Sequence, residues 1–94
     1  MQATSFINGT WLGEEGRQVT DIRNPFTREV IGKQVYATKA DVEEALQCAV
    51  NVRYEIADMP VYKRAEILLK ASELLASQKE QFAKLISTEL GKPL

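Results

Sequence analysis

Tyr36-Ala37-Thr38-Lys39-Ala40-Asp41-Val42-Glu43-Glu44-Ala45-Leu46-Gln47-Cys48-Ala49-Val50 is where the chain changes its period. Before it, short apolar runs are broken by turn residues. From it onward, Val42, Ala45, Leu46, Ala49 and Val50 recur at helical spacing and draw one apolar stripe. Thr38 is a good N-cap, because its hydroxyl can accept from a free amide of the first turn. Asp41, three residues later, nearly completes a capping box and complements the helix dipole. The chain therefore divides into a β region over 1–36 and a helical region over 37–94, which together form one incomplete domain.

Working forward, the helical stripe fades near Ala57-Asp58, and Pro60 suits the first turn of a second helix, where its missing N–H is no loss. Ala65, Leu68, Leu69, Ser72, Leu75 and Ala76 form that helix's main stripe. Ile67, Ala71 and Leu74 add a second flank, so the helix is apolar over more than one side. Ser77-Gln78 is a break or kink. Phe82, Leu85, Ile86 and Leu90 carry a helix on to Gly91, a natural C′ residue, with Pro93 as the stop.

Working back, Ser5-Phe6-Ile7 and Thr10-Trp11-Leu12 flank Asn8-Gly9, the dipeptide that best accepts the two positive φ angles of a type I′ hairpin. Val19–Arg23 alternates as a weak strand, Asn24-Pro25 is a turn, and Val30 to Tyr36 is a third strand interrupted by Gly32. The expected fold class is an α+β fragment: short N-terminal strands with a hairpin, then two to three amphipathic helices. Such short strands expose edges and need something to lie on.

The chain has 94 residues, enough for one small domain and too few for two. Twelve Lys and Arg against 13 Asp and Glu, interspersed, give no electrostatic reason to bind nucleic acid or an anionic membrane. No apolar run reaches the length of a membrane span, and the first residues lack the basic-then-apolar order expected of a secretory signal. The single cysteine, Cys48, permits no intrachain disulfide and fits a cytoplasmic location.

Candidate chemistry is sparse. Histidine is absent, and no Cys and carboxylate cluster has metal-ligand spacing. Cys48 sits mid-helix beside the apolar stripe, without the helix N-terminus or neighbouring cation that makes a thiolate, so it reads as a small, partly buried hydrophobe. Gly9, Gly13 and Gly16 lack the G-x-G-x-x-G spacing of a dinucleotide fingerprint and precede a strand, so they read as turn glycines. Phe6 and Trp11 read as aromatics that the hairpin buries on whatever it covers. Glu66 and Lys70 form an i,i+4 pair on a solvated face, and Glu89 with Lys92 reads as a capped helix end rather than an acid–base pair. No catalytic, cofactor-binding or metal-binding residue is assigned.

Three segments in register resemble the start of an aldehyde dehydrogenase. Phe6-Ile7-Asn8-Gly9-Thr10-Trp11 is similar to the family's "(Y/F)INGxW". Asn24-Pro25-Phe26-Thr27-Arg28-Glu29-Val30-Ile31-Gly32 is similar to "NPATGEVIG". Ala37-Thr38 with Asp41-Val42, then Pro60, Arg64, Ile67-Leu68 and Glu89-Leu90-Gly91-Lys92-Pro93, follows "ATxxDVxxA…P…eRaxiLxxxAdlL…ETGKP". Arg28 replaces the usual Gly, Leu90 the usual Thr, and Asn51 to Asp58 lacks the usual aromatic pair.

The resemblance implies an N-terminal fragment of an NAD- or NADP-dependent enzyme of α/β fold that oxidises an aldehyde to a carboxylic acid. The catalytic cysteine, glutamate, oxyanion asparagine and Rossmann-type domain lie beyond Leu94 in such enzymes. Cys48 does not match the nucleophile motif, so the fragment alone is expected to be catalytically incompetent and to bind no cofactor itself. Ile22 matches a position whose carbonyl helps hold a monovalent cation in some members, but the other ligands are missing and no site is expected. The implied partners are the rest of the parent enzyme and, for the isolated piece, further copies of itself. The alternative is a stand-alone protein-interaction module without enzymatic activity.

Overall fold

The computed structural model describes residues 1–94. Its strands are β1 (Gln2–Ala3), β2 (Phe6–Ile7), β3 (Thr10–Trp11), β4 (Val19–Arg23) and β5 (Val30–Val35). Three helices follow, α1 (Lys39–Asp58), α2 (Val61–Ser77) and α3 (Lys79–Leu90). This is the α+β arrangement that the change of period at Tyr36 predicts.

The hairpin forms at Asn8-Gly9, where both residues take positive φ, 51° and 76°. Phe6 then faces Trp11 and Ile7 faces Thr10. A separate three-stranded sheet has the order β1-β5-β4. β4 and β5 run antiparallel, whereas β1 lies parallel to β5, with Gln2 opposite Lys33. The two residues of β1 were too few to show a period, and sequence alone does not reveal this strand. Gly32 does not interrupt β5, contrary to expectation. The ladder instead shifts register beside it, passing from Ile22 opposite Gly32 to Arg23 opposite Val30 and leaving Ile31 as the extra residue of a bulge.

The turn between β4 and β5 is held by Asn24, whose side-chain oxygen accepts from the amides of Phe26 at 2.8 Å and Thr27 at 3.2 Å. Arg28 takes the left-handed φ of 67° and donates its amide to the Asn24 carbonyl at 2.8 Å. Arginine where the resemblance leads one to expect glycine therefore leaves the turn closed but puts a Cβ where one is disfavoured. Arg28→Gly should raise stability by about 0.5–1 kcal/mol, read from the midpoint of urea unfolding. An unchanged or lower midpoint would mean that the bond from Arg23 Nη1 to the Arg28 carbonyl depends on the arginine backbone as it stands.

The capping box at α1 is complete. The Thr38 hydroxyl accepts from the Asp41 amide at 3.1 Å, and the Asp41 carboxylate accepts from the Thr38 amide at 2.8 Å. Pro60 is the N-cap of α2, one position ahead of the expected first turn, and Gln78 separates α2 from α3. Gly91 closes α3 in the left-handed conformation at φ 70°, donating to the Ser87 carbonyl at 2.8 Å.

These elements do not close a core. Only Val35 and Asp41 are buried, both where the sheet meets the start of α1. The molecule measures 49 × 35 × 15 Å, so its thin dimension is little more than one helix or sheet layer. Its radius of gyration is 17.1 Å, against about 12 Å for a compact chain of this length. A domain needs two packed layers to bury an apolar face, and this chain supplies one.

Candidate functional site

The most ordered constellation of charged groups joins the loop after β3 to the start of α1. Arg17 donates from Nε to Asp41 Oδ2 and from Nη2 to Asp41 Oδ1, both at 2.7 Å, in a bidentate pair. Its Nη1 also reaches the Gly13 carbonyl at 3.1 Å. The Arg17 guanidinium holds the Asp41 carboxyl well below the usual carboxylate range, and the Thr38 amide lowers it further. Asp41 in turn raises the Arg17 guanidinium. Three donors, two from Arg17 and one from the Thr38 amide, already address the Asp41 carboxylate, so the pair reads as a structural clasp. Sequence reading reached Asp41 as a cap but not Arg17, because no short-range pattern links residues 24 positions apart.

The other candidates stay apart. Cys48 is half-buried in the middle of α1, beside the half-covered Ala45. Ile22 lies within β4 opposite Gly32. Gly9 turns the hairpin, and Gly16, with φ 71°, bends the loop that Arg17 clasps. Glu66 and Lys70 form no ion pair; besides Arg17–Asp41, the chain has only Asp21–Arg23, at 3.7 Å and exposed. No group of three or more cysteines and carboxylates converges. Phe6 and Trp11 correct an expectation. They stack on each other with ring centroids 4.9 Å apart, yet both remain exposed, since the hairpin covers nothing with that face.

What the structure does present is apolar surface. The predicted α1 stripe is largely open: Val42, Leu46 and Val50 are exposed, and the covered edge is the one carrying Asp41, Ala45 and Cys48. Every residue of α2 is exposed, including Leu68 at 70% and Leu69 at 64%. A 17-residue helix is marginal in water without a packed face. At the corner between α1 and α2, Ile56, Met59, Ile67 and Leu68 line a groove of about 240 Å³ with Arg64 at its rim. A second cleft, about 470 Å³, lies between the sheet and α3, floored by Met1, Ile31, Phe82 and Leu85. The accessible surface totals 7817 Å², against about 5,500 Å² for a compact protein of this mass. Contiguous apolar surface of that extent is characteristic of interaction faces.

The model of the aldehyde dehydrogenase family matches residues 11–94. Malonate-semialdehyde dehydrogenase 1 of Shouchella clausii is 39% identical over 90 residues, which is 96% of this chain and 18% of that protein. The enzyme of the same name from Geobacillus kaustophilus is 35% identical over 88 residues, 94% of this chain and 18% of its own length. A Staphylococcus haemolyticus protein, named as an aldehyde dehydrogenase without a stated substrate, is 37% identical over 89 residues, 95% of this chain and 19% of that protein. The chain belongs to the aldehyde dehydrogenase family. It corresponds to the family's N-terminal segment and spans less than a fifth of the length of these relatives.

Proposed function

We propose that this chain is the N-terminal packing layer of an NAD- or NADP-dependent aldehyde dehydrogenase that oxidises an aldehyde to a carboxylic acid in the cytoplasm. On this reading the layer is catalytically incompetent by itself. The observation that carries it is the one-layer architecture: helices with whole faces uncovered, in a sequence of which nearly all aligns with less than a fifth of full-length enzymes. The remainder of such an enzyme is the natural cover for those faces.

The residues present do not fit a dinucleotide. A pyrophosphate is held at a helix N-terminus by free amides after a glycine-rich turn. Here the α1 terminus is already filled by the Asp41 carboxylate, whose charge repels phosphate. The α2 terminus opens on Pro60 with no glycine turn before it, and Glu80 stands in the first turn of α3. No step of an oxidation is therefore assigned to this chain's residues. Its role is to support the domain that carries them.

The substrate of first choice follows from two relatives whose names specify malonate semialdehyde. The test compares this 94-residue chain with the same sequence joined to the remainder of the Shouchella clausii enzyme. Formation of reduced nicotinamide would be followed with malonate semialdehyde and a panel of simple aldehydes. The joined protein should turn over and the short chain should not. Activity in the short chain, or an unfolded joined protein, would overturn the reading.

A further inference from the structure

We propose that Asn8-Gly9 is a site of spontaneous covalent modification. Asn8 cyclises onto the Gly9 amide, loses ammonia and reopens with water as aspartate or isoaspartate, and the isoaspartyl form releases the β2–β3 hairpin. The inference goes beyond the role in an aldehyde dehydrogenase and does not depend on it. Its co-reactant is water, and no partner for the open helix faces enters.

The chain has three asparagines, and the structure separates them. The Asn24 oxygen is engaged by the amides of Phe26 and Thr27, and the next residue, Pro25, has no N–H to give up. Asn51 lies inside α1, where its oxygen accepts from Gln47 Nε2 at 2.8 Å. The next residue there, Val52, is branched at Cβ, and its amide belongs to the helix ladder. Asn8 differs in each respect. It is exposed, its side chain makes no hydrogen bond within the chain, and the Gly9 amide donates to no carbonyl. Gly9 brings no side chain to hinder attack. A Cβ built on it would meet nothing within 4 Å, so no neighbouring group shields the reacting pair.

The step balances without a change of oxidation state. The Gly9 nitrogen attacks Asn8 Cγ, the new C–N bond closes a cyclic imide, and the Cγ–Nδ2 bond breaks. The Gly9 amide proton ends on the departing ammonia. Water then opens the ring at Cγ to give aspartate, or at the Asn8 backbone carbonyl carbon to give isoaspartate. Ring closure needs the turn to leave its hairpin geometry. That opening is cheap, since the hairpin rests on two ladder pairs, Phe6 with Trp11 and Ile7 with Thr10. The two products then differ. Asp-Gly suits a type I′ turn as Asn-Gly does. Isoaspartate routes the backbone through the side-chain methylene and lengthens the loop, and loop length is what fixes hairpin register. The Phe6–Trp11 stack depends on that register.

The test incubates the folded 94-residue chain at neutral and at mildly alkaline pH beside an unstructured peptide of the sequence Ser5–Leu12. Peptide mapping by mass spectrometry locates each conversion of amide to acid, and enzymatic methylation of isoaspartyl carboxylates counts that product. Asn8 should be converted ahead of Asn24 and Asn51. Most of it should be converted before the peptide is exhausted, and faster at the higher pH, because the attacking nitrogen must lose its proton. Hydrogen exchange on the isoaspartyl fraction should show loss of protection at the Leu12 amide, which donates to the Ser5 carbonyl at 2.9 Å. Asn8→Asp should undergo no such conversion at position 8 and should keep that protection, which separates the added methylene from the added charge. Each of three results would overturn the proposal: Asn8 still mostly intact when the peptide is fully converted, an isoaspartyl chain that keeps protection at Leu12, or an Asn8→Asp chain that loses it. None of these outcomes bears on whether the joined enzyme turns over.

Discussion

Gly32→Ala is expected to release β1 from the sheet. β1 lies against β5 so closely that a Cβ added to Gly32 would stand 2.5 Å from the Met1 carbonyl oxygen and 3.1 Å from both the carbonyl carbon and the Cβ of Met1. The obstruction is backbone, so no rotamer change relieves it. β1 is only two residues long, and its hold on β5 includes the bond from the Lys33 amide to the Met1 carbonyl at 3.1 Å. The cheapest response is for the chain end to leave. Overpacking of this kind costs roughly 1–3 kcal/mol. Hydrogen exchange reads the result directly: the Lys33 amide should lose its protection, while the amides that pair β5 with β4 keep theirs. The cleft beside α3 should widen too, because Met1 forms part of its wall. Retained protection at Lys33 would show that β1 is not held as described.

Asp41→Asn is expected to cause the largest loss of thermal stability among conservative substitutions on α1, and to change how stability depends on pH. The asparagine keeps an oxygen for the Thr38 amide but cannot serve both nitrogens of Arg17 as an anion. The guanidinium, mostly covered in the clasp, is left short of its partner. The sign of the pH effect follows from the lowered Asp41 pKa. A carboxyl held below its unfolded value of about 3.9 contributes its full stabilisation above that pH and loses it as pH falls toward the depressed folded value. The wild-type chain should therefore be insensitive to this group from neutrality to about pH 4 and weaken below it. The variant should be weaker throughout and show a shallower acid limb, as measured by thermal unfolding from pH 7 to pH 2. Arg17→Met should be non-additive with it, because the two side chains act as one unit. An additive pair with parallel acid limbs would remove the clasp from the account.

Local chemistry made much of this fold legible. Asn8-Gly9 announces the hairpin because few residue pairs tolerate two positive φ angles, and Thr38 with Asp41 announces α1 because a capping box is written within four residues. Gly91 marks the end of α3 for the same kind of reason. What stayed hidden depends on distance along the chain. β1 pairs with a strand about thirty positions away, and two residues carry no period. Gly32 reads as a weak point in a strand, whereas its function is to admit the backbone of Met1. Arg17 looks like one charge among many until the fold brings it to Asp41. The extent of the uncovered apolar surface could not be read from residue types. Periodicity tells which residues of α2 are apolar and is silent on whether anything covers them.

The thinness of the slab has a calorimetric signature. Unfolding exposes only what folding had hidden, and this chain hides little. A chain of this mass would present about 15,400 Å² when extended, so the single folded molecule of 7817 Å² gives up roughly a quarter less surface on melting than a compact protein of equal mass. Heat-capacity change and denaturant slope both scale with that surface. An isolated copy should melt over a broad interval with a flattened stability curve, and the transition should sharpen as its open faces become occupied.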